Sequence, residues 1–198
     1  MYLRLTSVSG IFSGLLFVIG LSVLFMVNPQ TYDELNNLSL ASYNITGMNA
    51  RSWAAVLLYG ATGLLNVTFC VGLLSDPSQS SASLAGKILL MVCAVAWLSF
   101  GLIPYNPTIE ISNHLLLIRL IVFIVASFTG LILLGTQYER VVQDRFLKWY
   151  TPLTAGLILL LSFLSAFIYD DETWVRTNAS LSLYFLWLSA FGLRVLLK

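Results

Sequence analysis

Six runs of about 20 mainly apolar residues, joined by short polar connections, leave this chain few ways to fold. A run of that length wound as a helix spans the roughly 30 Å hydrocarbon core of a bilayer, where only helices and closed barrels satisfy their own backbone. Barrel strands alternate between lipid and lumen over about ten positions, whereas these runs are apolar on all sides and nearly twice as long. Helices are therefore expected at about 8–27, 53–74, 84–103, 115–135, 152–169 and 179–197. Composition agrees: 58% of the 198 residues are hydrophobic and 10% are charged, too little charge for a soluble domain. The expected fold is all-α, a polytopic membrane protein with six transmembrane helices in one bundle.

A formal net charge of +1 supplies no basic surface for nucleic acid, and two cysteines are too few for an extracellular disulfide scaffold. The first run ends at Asn28-Pro29 with no small-residue cleavage site behind it, so it reads as a retained signal anchor. The connection over 28–52 is polar and has room for a small ordered cap. The serine-rich SDPSQSSAS reads as a flexible turn with no chemistry of its own. No internal repeat is present, so the inverted-repeat signature of transporters is absent.

Charge sets the expected orientation. With the amino terminus inside, Arg4, Lys87, Arg140, Arg145, Lys148, Arg194 and Lys198 gather on the inner side against Arg51 and Arg176 outside, which places both termini in the cytoplasm. Six acids, Asp33, Glu34, Glu110, Asp170, Asp171 and Glu172, then face out, as do the sequons at Asn37, Asn44 and Asn178. The run 170–172 reads as a solvated loop, because calcium would need six or more oxygen ligands on a glycine-turned frame. Tyrosines and tryptophans, among them Tyr32, Trp53, Tyr105 and Trp149, cluster at the expected ends as interfacial belts.

Polar residues inside the runs are the candidate site. His114, the only histidine, stands at the outer mouth of the fourth run, four residues after Glu110. If the helix already includes Glu110, the two share a face, and the carboxylate raises the basicity of the imidazole for proton transfer or ligation. Arg119 lies about 7 Å deeper, inside the hydrocarbon zone, and about 140° around the helix from His114. A guanidinium at that depth calls for a carboxylate, a carbonyl or an anionic headgroup, or else it snorkels to the interface. Asn66, in the second run, calls for an interhelical hydrogen bond, and Gly10 and Gly14 read as a close-packing face. Cys70 and Cys93 read as packed thiols. No HExxH, GxSxG, phosphate loop or paired haem histidines occur, so no cofactor, metal or reaction is assigned and catalysis is the less favoured class.

Two stretches carry a family resemblance. NPQTYDELNNLSLAS with the following WAAVLLYGATGLL, and SFGLIPYNPTIEISNHLLLIRLIVF, resemble the domain-of-unknown-function family numbered 998. Pro29, Tyr32, Asn36 or Asn37, Ser39 and Gly63 match in the first stretch, and Gly101, Pro104 and His114 in the second. Gln30 replaces the family's usual glycine, and Leu58-Tyr59 its Phe-Asn pair. The resemblance implies a six-helix bundle whose outer loops meet near His114, and no activity.

The expected function is engagement of a lipid or anionic headgroup in an outward-facing polar pocket. Arg119 would clamp the charge, His114 with Glu110 would respond to protons, and Tyr32 and Tyr105 would line the rim. The rivals are a scaffold or assembly factor, a small-solute carrier lined by Asn66 and Arg119, and an interfacial lipid enzyme with His114 as base. The bilayer is the one partner read directly; no partner protein is identified.

Overall fold

The computed structural model describes residues 2–27, 50–77, 80–102, 110–168 and 173–197. Seven helices occupy them: α1 (Tyr2–Val27), α2 (Ala50–Ser75), α3 (Ser81–Leu102), α4 (Glu110–Gln137), α5 (Glu139–Gln143), α6 (Arg145–Phe167) and α7 (Thr173–Leu197). All but the short α5 are long and apolar enough to cross a membrane.

Each long helix packs on its neighbours in the sequence, and α7 packs on α1, so the six form a closed up-and-down ring. The seam between α1 and α7 is antiparallel. Phe17 stacks on Phe185, and the Ser189 hydroxyl, a turn further along α7, donates to the Ile11 carbonyl at 3.0 Å. The amino-terminal end of α1 and the carboxy-terminal end of α7 consequently share one end of the ring with the α2–α3 turn and with α5.

Aromatic side chains fill the centre. Trp97 of α3 meets Phe17 of α1, Tyr59 of α2, Phe123 of α4 and Phe185 of α7, with ring centroids between 4.8 and 5.4 Å apart. Aromatic pairs of this kind contribute about 0.5–1.5 kcal/mol each beyond burial, which matters in lipid, where apolar transfer does not drive helices together. The indole N–H of Trp97 donates to Thr62 Oγ1 at 2.9 Å, and the Ser13 hydroxyl donates to the Thr62 carbonyl at 3.0 Å. Phe12, Leu64, Val95, Ile121, Leu153 and Phe163 point outward and are exposed, the inverse of a soluble protein.

The helices run past the apolar runs, and the sixth element shows why. α6 starts at Arg145, about two turns before Pro152, where the sequence suggests a boundary. Asp144 Oδ1 accepts from the Phe146 and Leu147 amides at 2.9 and 3.0 Å, which caps the helix, and Pro152 is carried inside it. Gly135 of α4 faces the proline ring, leaving room for it: a Cβ there would stand 3.2 Å from Pro152 Cδ. Asn178 is a second departure, since it sits buried within α7 rather than on an outer loop, a poor position for a glycan.

Candidate functional site

The first turns of α4 carry the residues singled out from sequence. Glu110 is the first residue of the helix, its side chain outside the described part of the chain; His114 is exposed. Arg119 is half-buried and leans toward α3, where Nη1 donates to the Ser99 carbonyl at 3.4 Å and the guanidinium lies 6.0 Å from the centre of the Phe100 ring. Phe100 belongs to the Trp97 cluster at 5.8 Å, so Arg119 sits on the edge of the aromatic core. A cation over a ring face at that range is worth about 0.5–1 kcal/mol at an exposed site. Arg119 is thus turned to α3 while His114 is exposed. Tyr32, Tyr105 and the connections that would frame a pocket lie outside the described residues.

The mid-membrane polar groups are absorbed by packing. Asn66 is fully buried; its Nδ2 donates to Tyr184 Oη at 3.2 Å, and that hydroxyl reaches Asn66 Oδ1 at 3.3 Å, tying α2 to α7 across the ring. Cys70 Sγ lies 3.6 Å from Asn66 Oδ1 and 3.5 Å from the Leu90 carbonyl, and Cys93 is buried beside them as a free thiol. Gly10 faces Phe69 of α2, where a Cβ would stand 2.7 Å from Cδ2, and Gly14 faces α7, where a Cβ would run into the Phe185 carbonyl and the Ser189 hydroxyl. Among the described residues no three His, Cys, Asp or Glu side chains gather as a metal site.

A polar knot that the sequence reading passed over stands at the other end. Asp76 is in the serine-rich turn after α2, and Arg140 of α5 grips its carboxylate with two bonds, Nε to Oδ2 at 2.9 Å and Nη2 to Oδ1 at 2.7 Å. The Tyr138 hydroxyl, from the α4–α5 corner, donates to Oδ2 at 2.6 Å. Lys87 of α3 reaches back to the Asp76 carbonyl at 2.7 Å with its ammonium 4.4 Å from the centre of the Tyr138 ring, and is wholly enclosed. Burial works against the charge on Asp76. The hydrogen bonds from Arg140 and Tyr138, with the positive charges of Arg140 and Lys87, outweigh it and hold the carboxyl below its usual range. Burial first, and then the neighbouring carboxylate, push the Tyr138 phenol up, so it stays a donor; the Asp76 hydrogen bond pushes Arg140 up. The signal was in the sequence: Asp76 is an acid in a connection at the end where cations collect.

The chain matches no known protein family, and no curated protein or solved structure is significantly similar to it. The six packed apolar helices, with exposed leucines and phenylalanines on the outside and a filled aromatic centre, identify an integral, multi-pass membrane protein.

Proposed function

We propose that this bundle engages an anionic lipid headgroup at the end where α4 begins, with Arg119 as the cationic contact and His114 and Glu110 near the rim. The observation that carries the proposal is the placement of Arg119: a permanent cation, half-buried two to three turns into α4, on a long carbonyl contact and at the edge of an aromatic ring. Side chains of this kind hold charged groups at membrane depth. The opposite end carries Arg4, Arg140, Arg145, Lys148 and Arg194 and is oriented to the cytoplasm by the bias of basic residues toward that side. Membership of the family numbered 998 is part of the same proposal and brings no activity with it.

The carrier reading loses ground, because the axis that a solute would follow is occupied by Trp97 and the rings around it. The scaffold reading has one observation in its favour: Asn66, Thr62, Ser13 and Ser189 all bond to neighbouring helices or to their own. Native mass spectra of the gently purified protein beside Arg119→Ala and His114→Ala decide between them. A defined lipid adduct that survives in the wild type and is lost in Arg119→Ala supports the headgroup site. The same adducts in all three, or none in any, overturns it in favour of the scaffold.

A further inference from the structure

α6 presents an unusual face to the bilayer. Leu147, Thr151, Thr154, Ala155 and Ile158 are buried and define its inner side. At 100° per residue, Lys148, Arg145, Trp149 and Phe146 follow one another around the other side of its first turns. Arg145 and Lys148 are exposed, and Trp149 is 72% exposed. Arg194, in the last turn of α7, lays its guanidinium 4.9 Å from the centre of the Phe146 ring, which brings a third cation to the patch. Two of these cations stand at the positive end of the helix, where basic side chains are unfavourable and an anion is favoured. The nearby acids are engaged: Asp144 caps α6, Asp76 is gripped by Arg140, and Glu139 accepts from Gln143 at 2.6 Å.

Directly below Arg145 and Trp149, the same stripe continues as Leu153, Gly156, Leu160 and Phe163, all exposed. Gly156 is the second observation. A Cβ there would meet nothing within 4 Å, so no helix of the bundle uses this glycine to come close. In a helix interior glycine is less favourable than alanine, and here it leaves a notch in an apolar surface that faces lipid.

We propose that this face seats one anionic phospholipid, its phosphate among Arg145, Lys148 and Arg194, and an acyl chain along the notch at Gly156. The phosphate meets cations and an indole at the edge of the hydrocarbon, and the chain lies against leucines where the helix is indented. The site is at the opposite end of the bundle from Arg119 and stands or falls without it.

The experiment offers purified protein to phosphatidylglycerol vesicles, to phosphatidylcholine vesicles and to inorganic phosphate, and reads bound lipid by native mass spectrometry. The wild type retains phosphatidylglycerol over phosphatidylcholine, and Arg145→Gln/Lys148→Gln lowers that preference about tenfold or more. Gly156→Leu, on the exposed face and so compatible with folding, shortens retention of either lipid. Arg4→Gln, at the same end on α1, leaves the preference in place. Equal retention of both lipids by the wild type overturns the proposal. So does displacement of the lipid by inorganic phosphate alone, or a dimer that Gly156→Leu dissolves, which would assign the notch to a second copy of the chain.

Discussion

Lys87 and Arg119 are both cations on the α3–α4 pair, at opposite ends, and each touches a carbonyl and an aromatic ring. Lys87 is wholly enclosed, 2.7 Å from the Asp76 carbonyl, with its ammonium 4.4 Å from the Tyr138 ring and a carboxylate in the same knot. Arg119 is half-buried, 3.4 Å from the Ser99 carbonyl and 6.0 Å from Phe100. The difference teaches how to sort membrane cations. Short bonds and full enclosure fix a charge as part of the architecture, while partial exposure keeps a charge within reach of the membrane surface.

The comparison is sharpest where the knot loses its carboxylate. Asp76→Ala is expected to cost about 2–3 kcal/mol, because Arg140 and the enclosed Lys87 lose the carboxylate that compensates them. Thermal unfolding in detergent measures this, and an unchanged Tm would mean that the knot is ornamental. Acid gives the same information without a substitution. Asp76 is held below its usual range, so its contribution is complete above the unfolded value of about 3.9 and is lost as pH falls through the lower folded value. The Tm of the wild type should therefore fall below about pH 4, and Asp76→Asn should start lower at neutral pH and show a flatter acid limb. Lys87→Met keeps most of the apolar stem and removes the donor to the Asp76 carbonyl, at an expected cost of about 1–2 kcal/mol. Arg119→Met is expected to shift stability by no more than about 0.5 kcal/mol. A loss as large as that of Lys87→Met would make Arg119 a second architectural cation and remove the contrast.

Much of the fold was legible because lipid imposes a length and an apolarity that few sequences meet by accident. The ends were less so. Hydropathy fades before the backbone hydrogen bonds do, and Pro152 marks a boundary only if nothing upstream caps the helix, which Asp144 does. Asn66 announced its need for a partner through its depth, but Tyr184 is 118 positions away, and only the closure of α7 onto the ring supplies it. The Asp76 knot was hidden for a similar reason. A single acid in a serine-rich turn reads as solvated until Arg140 and Tyr138, from a corner far along the chain, are brought against it. His114 and Arg119 were visible from residue type and depth alone, while their different settings follow from where α3 lies.

The seam between α1 and α7 differs from every other joint of the ring in having no loop to hold it together. During synthesis α1 emerges before α7, so Phe17, Gly14 and Ile11 enter the membrane long before Phe185 and Ser189 exist to cover them. Until then the nascent bundle is an open crescent whose two raw edges are those of α1 and of the newest helix. Any helper that shields a half-made membrane protein would be drawn to those edges, and a chain in which α7 is linked directly to α1 and another loop is cut would keep the contacts of the ring while removing that wait.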